Sequence, residues 1–142
     1  FTVIGCSSKV KVSPEVFVFE LDSRREIFGE GYIRFLTMME EMPPHEVALE
    51  DAILQVQVEF LHLQDKFISE VNELDVPDQC IGLRDNFFHL METLSKSQDL
   101  IIKIWQDPTI KDQVKDRMFY GLQEHERNNE GEKVYKNYCL NG

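Results

Sequence analysis

Glu59-Phe60-Leu61-His62 is the stretch whose residue types and spacing come nearest to a known chemical task. An E-x-x-H on a helix sets a carboxylate and an imidazole one turn apart on the same side, as in the ferritin-like bundles that hold a di-iron centre. Such a centre needs the motif on two helices and a glutamate from each of the other two. The nearest second copy is Asn86-x-x-His89, where an amide replaces the bridging carboxylate. On a helical wheel Glu59 and His62 share their side with Gln55 and Lys66, away from the apolar arc. These four therefore read as a polar strip open to recognition, and no metal or other cofactor is expected.

The remaining histidines offer less. His45 falls in a first helical turn, where the dipole disfavours its charged form. His89, beside Phe87, Phe88 and Leu90, is expected to be partly buried and hydrogen-bonded, and His125, among Glu124, Glu126 and Arg127, to be solvated on a charged helix end. None stands at a spacing that identifies a nucleophile and an orienting acid, so no catalytic residue is assigned and the chain is read as non-enzymatic. Gly29-Glu30-Gly31 lacks the further glycines and the lysine of a phosphate loop.

Cys6, Cys80 and Cys139 are far apart and have no His or Cys neighbour at zinc-ligand spacing. Three reduced thiols would suit the cytosol. One special cysteine plus a disulfide would suit an oxidising compartment.

The N-terminus bears on that choice. Phe1-Thr2-Val3-Ile4-Gly5-Cys6 is apolar and closes on a small residue and a cysteine, and polar Ser7-Ser8-Lys9 follows. This resembles the end of a bacterial lipoprotein signal, with Val3-Ile4-Gly5-Cys6 as the lipobox. The resemblance implies a lipid on Cys6, removal of residues 1–5, and a cell-envelope location in which that lipid is the sole membrane attachment. Without it, residues 1–12 are an edge strand or an ordinary arm, with Cys6 a small half-buried hydrophobe.

The elements that must position these residues follow from apolar periodicity and proline punctuation. The longest pattern runs from Pro44 to Leu74, where Leu49, Ile53, Val56, Phe60, Leu63 and Phe67 recur at three and four. A second arc through Leu54, Val58, Leu61 and Ile68 predicts that this helix is covered on two sides and is central. Ser13-Pro14 caps and opens an earlier helix that ends at Pro43-Pro44. The competing parse makes Val16 to Leu21 a strand and starts the helix at a Ser23/Glu26 capping box.

Asp75-Val76-Pro77 predicts a cap and a third helix to about Gln106, with Ser95 to Asp99 a polar turn that faces solvent or marks a bend. Asp107-Pro108 predicts a fourth helix to about Arg127. Asn128, Asn129 and Gly131 then predict a turn, and one or two more apolar turns reach Cys139. In an up-down bundle the tail beyond the fourth helix runs beside the start of the third, so Cys80 and Cys139 can meet in a disulfide; the alternative is two buried free thiols. Phe17, Phe19, Phe28, Tyr32, Phe35, Phe87 and Phe88 are core material first, with a groove for a partner helix as the second possibility.

The expected fold is all-α: a four-helix up-down bundle over residues 13–142, preceded by a 1–12 arm and ending in a short C-terminal extension. With 142 residues, 42% hydrophobic, the chain can bury a real core. Its 26 acidic against 15 basic residues, a net charge of −11, repel nucleic-acid phosphates, so no nucleic acid is expected as a partner. No run of eighteen apolar residues spans a bilayer. Together these features predict an acidic lipoprotein that binds a protein partner as a helical binding or adaptor module. The alternatives are a cytosolic regulatory or adaptor protein and a degenerate ferritin-like metal bundle built on Glu59 and His62.

Overall fold

The computed structural model describes residues 9–41, 47–107 and 113–142, and the side chains of all of these except 47–49 and 113–115. Cys6 with its lipobox, the Pro43-Pro44 hairpin, His45 and the Pro108 helix start lie outside them. Among the described residues the chain forms four helices: α1 (Pro14–Glu41), α2 (Val47–Asn72), α3 (Ile81–Gln106) and α4 (Gln113–Asn141). Two-residue strands β1 (Val10–Lys11) and β2 (Leu74–Asp75) pair in parallel, Val10 against Leu74, and tie the arm to the α2–α3 connection. No described helix is long and apolar enough to cross a membrane.

Local chemistry explains the first boundary. Ser13 Oγ accepts the Val16 amide at 3.2 Å, and Pro14 occupies the first helical position. The helix then runs unbroken through Val16 to Leu21, which removes the strand alternative. Ser23 hydrogen-bonds back to the Phe19 carbonyl at 3.0 Å instead of capping a new helix. At the third helix the expected cap is also corrected. Asp75 is committed to β2, Asp78–Cys80 forms a 3-10 turn that begins after Pro77, and α3 starts after Cys80 without a side-chain cap.

The central helices are α1 and α3, not α2. Each touches the other three helices, while α2 and α4 do not meet among the described residues, as expected of diagonal members of an up-down bundle. The main arc of α2 is buried at Ile53, Phe60, Phe67 and Val71, but its second arc is open: Leu54, Val58 and Leu61 are exposed. The core carries Phe17, Phe28, Tyr32, Phe35 and Phe87, all essentially inaccessible, with the Phe28 and Phe60 rings 4.2 Å apart. These aromatics therefore fill the interior, with Phe35 also bordering a cleft between α1 and α2; Phe19 alone of the α1 set is exposed.

The polar turn of α3 is only partly on the expected solvent face: Lys96 is exposed, Ser97 and Asp99 are half-buried, and Ser95 and Gln98 are buried. Ser95 donates to Gln64 Oε1 on α2, and Asp99 accepts Gln57 Nε2 at 3.1 Å. Ser97 Oγ and Tyr32 Oη share a hydrogen bond of 2.8 Å across to α1. Gln98 is wholly buried, and neither atom of its amide has a hydrogen-bond partner among the described residues.

Gly121 on α4 closes this waist. A Cβ there would overlap Tyr32 Oη and lie 2.7 Å from Ser97 Oγ, so the close approach of α4 requires glycine.

The end of α4 differs from expectation in a way that joins the molecule. No turn occurs at Asn128 to Gly131; the helix continues to Asn141, and the C-terminal extension is its own last turns. The asparagines that signal a turn are held by neighbours. Asn128 Oδ1 accepts from Arg25 on α1 and from Asn86 Nδ2 on α3 at 3.3 Å, and Asn129 Oδ1 accepts from Arg25 at 2.9 Å. The straight helix carries Cys139 to Cys80, and the two form a fully buried disulfide with Cα atoms 4.4 Å apart. Gln79 Nε2 donates to the Cys139 carbonyl at 2.5 Å beside it.

Two outcomes follow from this packing. Cys80→Ser/Cys139→Ser should lower the unfolding free energy by about 2–4 kcal/mol, because the bond closes most of α3 and α4 into one loop; urea denaturation with and without the bond measures it. Gly121→Ala should cost about 1–3 kcal/mol by overpacking Tyr32, read as a fall in the urea midpoint at unchanged slope.

Candidate functional site

The polar strip is solvent-exposed along α2. Gln55, Glu59, His62 and Lys66 all lie on the surface, and Gln55 Nε2 donates to Glu59 Oε1 at 3.3 Å. Glu59 also borders a cleft of about 310 Å³ between α1 and α2, facing Arg34 across it. His62 is apart from any cluster: among the described residues no three His, Cys, Asp or Glu side chains converge as a metal would require. Asn86 is turned to Asn128, and His89 is exposed rather than partly buried, its ring nitrogen 3.5 Å from Thr93 Oγ1.

The larger concavity is one that sequence reading did not single out. It is an open groove of about 720 Å³ between α1 and α4. Asp22, Arg25, Glu26, Glu30, Ile33 and Arg34 line the α1 side, with Gly29 on the floor; His125, Asn129, Glu132 and Lys136 line the α4 side. The positions recur at three and four on both helices, which is why one groove receives them all. Gly29 is decisive for its shape. A Cβ there would stand 3.0 Å from His125 Nε2, so the missing side chain lets the imidazole sit against α1.

His125 is thus half-buried, not solvated as expected, and its hydrogen bonds are set by Arg25. A guanidinium only donates, so Asn129 presents Oδ1 to Arg25, at 3.2 Å from Nε and 2.9 Å from the terminal nitrogen. The Asn129 amide nitrogen is left facing His125 Nδ1 at 3.2 Å. Nδ1 must then accept, and the neutral ring carries its hydrogen on Nε2, toward Gly29. Burial, and then the charge of Arg25, hold the His125 pKa below its ordinary value, with Glu126 pulling weakly the other way. Arg25 is also lowered, by burial, against the attraction of Glu132 and Asp22.

Lys136 clamps the other end. Its ammonium lies 3.0 Å from Asp22 on α1 and 3.0 Å from buried Glu132 on α4. Burial alone would lower the Lys136 pKa, but the bonds to these two carboxylates outweigh it and raise it. Arg25 and Lys136 are therefore occupied by protein partners. Glu26, Glu30 and Arg34, all exposed at the mouth, make no ion pair or hydrogen bond among the described residues.

Chemically, the groove presents a fixed N–H donor on its floor and unpaired charges of both signs on its rim. A hydrogen-bond donor and charges of both signs in one concavity can hold a ligand that carries matching groups. The sequence signal that could have found it is the α1 series Asp22, Arg25, Glu26, Gly29, Glu30, Ile33: charges at helical spacing on both sides of a small residue. No family model matches the chain, and no curated protein or solved structure is similar to it.

The hydrogen-bond chain makes stability depend on pH with a definite sign. Folding disfavours the charged imidazole, so the contribution of His125 is complete above its ordinary pKa of 6.5 and is lost as pH falls from there through the depressed folded value. The urea midpoint of the wild type should fall between pH 7.5 and pH 5 more steeply than that of His125→Gln. Equal slopes would mean that His125 is not the group held neutral.

Proposed function

We propose that this chain is a non-catalytic binding or adaptor module of the cell envelope, held at the membrane by a lipid on Cys6 and presenting the α1–α4 groove to its ligand. The observation that supports the envelope location is the buried Cys80–Cys139 disulfide. Disulfides form and persist where thiols are not kept reduced, outside the cytosol, which weighs against a cytosolic regulator. It also accounts for the odd cysteine: with two sulfurs paired, Cys6 is the thiol left for a lipid, and Val3-Ile4-Gly5-Cys6 resembles the sequence a lipoprotein peptidase would cut.

The binding role is supported by the groove, which combines a neutral imidazole with convergent charges of both signs in one concavity. An adaptor that works by presenting a surface needs a rigid one, and the inter-helix bonds of Arg25, Asn128 and Lys136 supply that rigidity.

Metabolic labelling tests the tether. The complete gene, expressed in a bacterium fed labelled palmitate, should yield a labelled protein in the membrane fraction, and Cys6→Ser should lose both the label and the membrane association. An unlabelled wild-type protein fractionating with the cytosol would overturn the lipoprotein reading.

A further inference from the structure

We propose that the α1–α4 groove binds short peptides as zwitterions. The free ammonium end lies between Glu26 and Glu30, a main-chain carbonyl accepts the His125 Nε2 hydrogen, and the carboxylate end pairs with Arg34. This rests on the binding-module reading and names the ligand class of its site.

The argument begins with which charges are available. Arg25 already donates to Asn128 and Asn129, and Lys136 already bridges Asp22 and Glu132. Both are engaged within the protein. The charged groups of the groove that make neither a hydrogen bond nor an ion pair among the described residues are Glu26, Glu30 and Arg34, and they follow one another along one side of α1 in that order.

At a rise of about 1.5 Å per residue, Glu26 and Glu30 stand about 6 Å apart and Arg34 about 6 Å further on. An ammonium set between the two carboxylates would therefore lie roughly 9 Å from Arg34, the end-to-end reach of about three extended residues. A ligand bearing only positive charge would leave Arg34 unmatched, and one bearing only negative charge would face the two glutamates.

The floor adds a third contact. Because Arg25 fixes Asn129 and Asn129 fixes Nδ1, the hydrogen of His125 stands on Nε2 beside Gly29, with no partner among the described residues. The first peptide carbonyl, close to the ammonium end, supplies the acceptor. Ile33 gives the same wall an exposed apolar surface for a side chain, and a groove of about 720 Å³ has room for a tripeptide.

The test is calorimetric titration of the oxidised 142-residue chain at pH 7.5 with alanyl-leucyl-alanine, with its N-acetylated form and with its C-terminal amide. The free tripeptide should bind saturably, and blocking either end should weaken binding about tenfold, the size of one lost charge-assisted hydrogen bond. Arg34→Gln, an exposed substitution, should weaken the free peptide to the level of the amide and leave the amide unchanged. Glu26→Gln/Glu30→Gln should do the same with respect to the acetylated form. Equal affinity for free and blocked peptides, or no saturable binding at millimolar concentration, would overturn the proposal. Neither result depends on the lipid, so a failure here is distinct from a failure of the labelling experiment.

Discussion

The bundle is built around a polar turn that it buries in part, at Ser95 and Gln98. Ser95, Ser97, Gln98 and Asp99 stand in the middle of α3, which like α1 touches every other helix, and a buried polar group without a partner costs more than the bond it replaces is worth. The neighbours answer with groups at matching heights: Gln64 and Gln57 on α2, Tyr32 on α1. Each of these bonds is short-ranged and directional, so together they set the register of α1 and α2 against α3 in a way that apolar packing alone does not. Gly121 then lets α4 close over Tyr32. A helix displaced by one turn would separate these groups while leaving its apolar stripe facing inward.

The second constraint is the straightness of α4. Arg25 and Asn86 hold Asn128 and Asn129 inside a helix that their types would otherwise tend to end, and the continuation carries Cys139 to Cys80. The same two asparagines orient Arg25, and one of them orients His125. The chemistry of the α1–α4 groove and the closing of the bundle by its disulfide thus depend on one stretch of helix. Lys136, one turn further on from Glu132, bonds to both walls and ties them together.

Much of the fold was legible from residue types because the relevant forces are local or periodic. Ser13 and Pro14 start α1 through a cap that involves three neighbouring residues, and the three-and-four spacing of Ile53, Phe60 and Phe67 marks a buried face whatever covers it. The meeting of Cys80 and Cys139 was legible as a possibility, since up-down topology brings the start of α3 and the end of the chain together. The site was much less legible. The polar strip of Gln55, Glu59, His62 and Lys66 is where periodicity places it, on the outside of α2, yet the larger concavity lies between two other helices.

Sequence by itself determined the all-α class, the main buried face of α1, α2 and α3, the acidic surface and the chance of a Cys80–Cys139 bond, because caps, prolines and apolar periods act within a few residues of one helix. Tertiary structure decided that α1 and α3 rather than α2 are central, that Ser95 and Gln98 are interior, that α4 passes through Asn128 without turning, and that Asn129 sets the hydrogen bond at His125 Nδ1. Each of these depends on a partner more than thirty residues away: Gln64 for Ser95, Tyr32 for Ser97, Arg25 for Asn129 and, through it, His125. A polar residue has the same helical period whether water or another helix satisfies it, so only the packed bundle distinguishes the two.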